Sequence, residues 1–253
     1  MSFPGIPPKP PTRQIRAHQE QEDDGTTITV YQAYPSTIAT AAVINQRLDA
    51  SPDFRTTRMT WIKPSWAWML YRSGYSYKDP GQEHILAIKM KRDGFLRLLA
   101  RGVLTHGNSA SPHPRQNQQQ QQLETTSDSP RATSTEREKA RESKRKDRLQ
   151  SLDVKIQWDP ERTVRLDSLN YRSIQIGIPA GLVKEWVQNM IVSIEDVTDK
   201  ARELKKILDE RPEVTDEELV EMGLIPEETE FEVPAELRSR LGMSHEGLAT
   251  RAS

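Results

Sequence analysis

"RMTWIKPSWAWMLYRSGY", residues 58–75, decides the fold class, because a strand-like run passes through a Pro-Ser break into a helical stretch that stops at a glycine. "RMTWI" reads as a strand. Pro64 and Ser65 supply a helix start. In the helix that follows, Trp68, Met69 and Arg72 lie a turn apart, and Gly74 ends it, since glycine accepts the left-handed conformation of a C-terminal cap.

The same unit stands on both sides. Upstream, "TTITVYQAY" (26–34) reads as a strand, and "STIATAAVINQRL" (36–48) sets Ile38, Ala41, Ala42, Ile44 and Leu48 at helical spacing. Downstream, "EHILAIKMK" (83–91) is a strand and "GFLRLLARG" (94–102) a short helix. Further on, "VKIQWD" (154–159) and "RSIQIGIP" (172–179) read as strands, and residues 180–208 form the longest amphipathic helical stretch, broken near Ser193. This alternation predicts an α+β fold, a compact mixed sheet flanked by helices.

Between these halves, residues 107–150 are polar and glutamine-rich, with too few apolar side chains to offset the entropy of ordering, so a long disordered insertion is expected. Its basic run "REKARESKRKDR" (137–148) is either a solvated face or a nuclear address or nucleic-acid contact. The expected organisation is a disordered N-terminus (1–12), one domain over 13–208 interrupted by that insertion, and an acidic, mostly disordered tail (209–253).

The chain has 253 residues, 34% of them hydrophobic, and no cysteine, which excludes disulfides, thiolate metal sites and a cysteine nucleophile. Mean hydropathy is −0.76, and no apolar run approaches the roughly 20 residues of a membrane span. The proline-rich start lacks the apolar core of a signal peptide, so a soluble protein of cytoplasm or nucleus with no membrane partner is expected. The pattern names no protein partner.

Phosphate-binding glycine loops, zinc-binding HExxH and the GxSxG nucleophile turn are all missing, and the five histidines are scattered, so no metal is expected. What remains is polarity on predicted strands. Alternation in "RSIQIGIP" sets Ile174 and Ile176 on one face and Ser173, Gln175 and Gly177 on the other, either a solvated face or a ligand surface. In residues 58–75 the rings of Trp61, Trp66 and Trp68 suit a core, but Arg58, Lys63 and Arg72 threaded among them suit phosphate or carboxylate beside a stacking surface. "QWDPER" (157–162) is either a capped strand end or a site in which Asp159 or Glu161 acts as base and Arg162 handles charge. Arg16, Tyr31, Gln32, Trp158, Arg172 and Gln175 complete the polar set.

The blocks "IRAHQEQEDDGTTITVYQAY", "RMTWIKPSWAWMLYRSGY", "KIQWDPER", "YRSIQIGIP" and "IVSIEDVT" resemble the domain of unknown function 4291 family over about residues 13–198. More distantly, the order of strands and helices is similar to that of ADP-ribosyltransferases. That likeness implies an ADP-ribosyltransferase-like fold and a nucleotide-handling enzyme acting on NAD or a related phosphate-bearing ligand. Tyr71 and Tyr31 would flank the nicotinamide, and Gln32 or Gln175 would orient ribose. Arg16, Arg58, Trp61, Lys63, Arg72, Arg162 and Arg172 would hold the cofactor, with Asp159 a further catalytic candidate. Gln175 stands where that superfamily has a catalytic glutamate, and a neutral amide cannot serve as a base. The alternative is a non-catalytic module binding single-stranded nucleic acid or protein.

Overall fold

Strand β4 (Thr60–Ile62) and helix α2 (Trp66–Ser73) form from the stretch quoted first. Ser65 caps α2 by accepting from the Trp68 N–H at 3.1 Å, and Gly74 ends it at φ +57°. The computed structural model describes residues 13–22, 25–105 and 151–243. The expected disordered N-terminus, the whole 107–150 insertion and the end of the tail lie outside these.

In chain order the elements are β1 (Arg16–Ala17), β2 (Gln19–Glu22), β3 (Gly25–Tyr34), α1 (Ser36–Asn45), β4, α2, β5 (His84–Lys91), α3 (Arg92–Ala100) and β6 (Gly102–Leu104). There follow β7 (Val154–Arg162), β8 (Ser168–Ile178), α4 (Ala180–Glu185), β9 (Ile191–Asp196), α5 (Thr198–Glu210), α6 (Asp216–Glu221), β10 (Thr229–Glu230) and α7 (Ala235–Arg238).

Where one mixed sheet is expected, the strands make two sheets of four and a two-stranded pair, β1 with β10. The first runs β2-β3-β5-β9 and is antiparallel throughout. The second runs β4-β8-β7-β6, antiparallel except for β6 beside β7. One backbone bridge joins them: the Tyr31 N–H donates to the Lys63 carbonyl at 2.6 Å, and the Lys63 N–H returns to Tyr31 at 3.1 Å.

Alternation explains both cores. Ile62, Ile156, Trp158, Ile174, Ile176 and Ile178 share one face of the second sheet and close on Ile28, Val30 and Ile88 of the first. The opposite face of β3 sends Tyr31 and Ala33 into a smaller cluster with Trp66, Met69 and Leu204. β3 is thus buried on both sides.

Two expectations need correction. The helical run expected over 180–208 contains a strand: after α4, a π-helical turn (Trp186–Met190) leads into β9, which takes the open edge of β5. Ile191 and Ile194, three residues apart, keep a helical period, and they serve one strand only because the register shifts opposite Lys89 and Met90, so the available edge hydrogen bonds decide. The acidic tail is folded through residue 243. Phe231, Val233, Leu241 and Met243 lie in the main core, and Phe231 meets Phe95 edge-on at 5.1 Å. A few large apolar side chains suffice there because α3 and β7 supply a surface to bury them against.

Candidate functional site

The second sheet's other face is polar. Antiparallel partners point the same way, so the pairs Trp61–Gly177, Gln157–Gln175 and Asp159–Ser173 set these side chains on one surface, with Lys63 next after β4. Helix α2 lies against β7 and brings Trp68, Tyr71 and Arg72 to that surface.

Lys63 is its centre. Only 3% exposed, it donates to the side-chain oxygen of Gln175 and sits 4.0 Å from the centroid of the Trp68 ring. Burial pushes its pKa down to about 7; Asp159 opposes this and the charge of Arg72 adds to it. An indole face attracts a cation but cannot replace its lost hydration as a carboxylate would.

Around it are unsatisfied polar atoms. Gln157 donates to Asp159 Oδ1 at 2.9 Å, which leaves buried Oδ2 without a partner. The Arg162 guanidinium lies 4.0 Å above the Tyr71 ring and bonds the Leu166 carbonyl at 3.2 Å, while its buried Nε has none. Ser173 Oγ is likewise buried, with the Glu161 carboxyl beside it. Among the described residues, Lys63, Arg72 and Arg162 have no carboxylate within ion-pair distance.

A carboxyl pair adjoins this surface at the start of α2. Glu161, 3% exposed, accepts from Ser65 Oγ at 2.9 Å and from the Arg162 N–H at 2.8 Å; burial raises its pKa. Glu228 accepts from the Trp66 N–H at 2.6 Å, and burial, with Glu161 nearby, raises its pKa to about 8. Arg16 bonds the Glu228 main-chain oxygen at 2.6 Å.

Of the residues expected from sequence, Trp61, Lys63, Tyr71, Arg72, Asp159, Arg162 and Gln175 therefore come together. The others do not join them. Tyr31 is 4% exposed with its ring 5.1 Å from Trp66, so it has no open face for a ligand ring. Gln32 falls on the opposite side of β3, paired with Leu86. Arg16 serves the carboxyl pair, and Arg58 is exposed in the turn before β4. Arg172 alternates to the other face and donates to the Trp158 carbonyl at 2.8 Å. The sequence reading missed Gln157, whose period-two spacing to Asp159 was the available signal, and Glu228, for which the acidic tail gave none.

The family model described as Domain of unknown function (DUF4291) matches residues 14–231. The chain belongs to that family. The DUF4291 match takes in every residue of the polar face and reaches Phe231 in the folded tail. Among curated proteins, none matches the chain. Among the described residues, no group of three or more His, Cys, Asp or Glu side chains is placed to hold a metal, and no helix is long and apolar enough to cross a membrane.

Proposed function

We propose that the Lys63 face binds a phosphate-bearing, nucleotide-like ligand, and that the domain is a nucleotide-handling enzyme of ADP-ribosyltransferase type with NAD or a close relative as ligand. One observation carries this: three cationic side chains lie beside aromatic rings and, among the described residues, none is in ion-pair contact with a carboxylate. Gathering charges out of water is costly unless an anion offsets them. Arg72, Arg162 and Lys63 then take the phosphate oxygens, and Trp61 and Tyr71 offer ring surfaces for a base or nicotinamide.

The residues present suit such a ligand. Arg162 Nε is a buried donor in need of an acceptor, and Asp159 Oδ2 is a buried acceptor in need of a hydroxyl or amide hydrogen. Gln175, bound to Lys63, orients rather than ionises. Asp159 is the carboxylate of this face that can stabilise positive charge developing on a sugar. Isothermal titration of the folded chain with NAD and with ADP-ribose tests the proposal. Binding heat at micromolar to millimolar ligand is expected, and no heat at millimolar concentration would remove it.

A further inference from the structure

A buried lysine close to the Arg72 guanidinium has a second use besides holding phosphate. Its hydrogen-bond partner is an amide oxygen, which accepts one hydrogen and leaves the other positions on nitrogen unengaged. Its stem is fixed between the Tyr31 backbone bridge and the Trp68 ring, so the nitrogen is held in place rather than swept through solvent. Beside it stands Asp159, whose Oδ2 is buried and unpartnered. A desolvated amine next to other cations is the arrangement that makes lysine a nucleophile at neutral pH.

We propose that Lys63 captures the carbonyl carbon of a phosphate-bearing aldehyde or ketone as a reversible imine. This rests on the anion-binding role of the same face and adds the reacting group. The Lys63 Nζ lone pair attacks the carbonyl carbon, and the carbonyl π pair moves to oxygen. Asp159 Oδ2 takes a proton from the new ammonium nitrogen and returns it to that oxygen, giving a carbinolamine. Asp159 Oδ2 then carries the remaining proton from the carbinolamine nitrogen to the hydroxyl, which leaves as water while the nitrogen lone pair closes the C=N bond. No oxidant or reductant enters, and water reverses the sequence. The open-chain terminal ribose of ADP-ribose carries an aldehyde of this class. Arg72 and Arg162 hold the phosphates while the amine reacts.

Pyridoxal 5′-phosphate, an aromatic aldehyde with a phosphate, is a suitable probe. The full chain is incubated with it at neutral pH, reduced with borohydride, and mapped by peptide mass. Lys63 is expected to acquire the adduct about tenfold faster than the exposed Lys91 and Lys184, because far more of its amine is neutral. ADP-ribose in the mixture slows that labelling, and Asp159→Asn slows it about tenfold without altering the circular dichroism spectrum.

Adducts spread over exposed lysines with Lys63 unmodified would overturn the proposal. If ADP-ribose binds with measurable heat yet Lys63 stays unmodified, the anion site stands and the imine does not. Equal labelling of Lys63 by pyridoxal without its phosphate supports the reactive amine and removes the phosphate requirement.

Discussion

Lys63 donates to Gln175 across β4 and β8, so a nearly buried amine rests on a neutral amide where a carboxylate would have made an ion pair. Gln175→Glu supplies that carboxylate. The Lys63 pKa then rises by about one unit or more, since a contacting opposite charge favours the ammonium. Reductive capture at neutral pH slows about tenfold, and its pH profile moves to the alkaline side. An unchanged profile would show that the two side chains do not interact in solution.

Arg72→Ala and Arg58→Ala separate the site from its surroundings. Arg72 lies close enough to Lys63 to depress its pKa, whereas Arg58 is exposed in a turn. Titration calorimetry with ADP-ribose is expected to show about tenfold weaker binding for Arg72→Ala, and no change for Arg58→Ala. Equal losses in both would point to a diffuse electrostatic surface.

Stability should pass through a minimum between about pH 7 and 8. Glu228 has its pKa raised from 4.5 to about 8, so its contribution is full below pH 4.5 and lost as pH rises through 8. Lys63 has its pKa lowered from 10.5 to about 7, so its burial penalty is full below pH 7 and is relieved as pH rises towards 10.5. Urea midpoints at about pH 5.5, 7.5 and 9.5 check this. Glu228→Gln removes the acid-side decline, and Lys63→Met removes the alkaline-side recovery.

Gly177 is the floor under Trp61: a Cβ there would come within 2.9 Å of the indole. Gly177→Ala is therefore expected to tilt Trp61 off the sheet, weakening ligand binding several-fold while the midpoint of unfolding changes little. Intrinsic tryptophan fluorescence with and without ADP-ribose measures both.

Phe231→Ala should destabilise the domain by about 3–5 kcal/mol, the usual cost of emptying a buried aromatic position. Phe231 is 1% exposed against Phe95, so ending the chain before it should also prevent cooperative unfolding altogether. A wild-type melting curve after truncation at residue 226 would show that the tail is dispensable.

Much of the polar face was legible because period-two spacing declares which side chains travel together: Gln157 with Asp159 on β7, Ser173 with Gln175 on β8, and Trp61 with Lys63 along β4, whereas Arg162, three residues after Asp159, lies beyond the bulge that follows Pro160. Tyr31 illustrates the limit. Alternation tells that it opposes Val30, but not that α2 covers its side of β3, so a phenol expected at a ligand lies against Trp66. β9 was hidden because two isoleucines three residues apart keep a helical period and break strand alternation, and only the bulge opposite Lys89 and Met90 fits them to the free edge of β5. Glu228 was invisible for another reason: among many surface acids, only the bare N–H of Trp66 distinguishes it.

The paired backbone bonds between Tyr31 and Lys63 make the lysine common property of both sheets. It is the pivot where they meet, so the amine's aim is geared to the angle between them. Repacking the isoleucine layer far from Lys63 would therefore be felt as a change in nucleophile reactivity before any loss of folding, and amine capture becomes a sensitive goniometer for the whole domain.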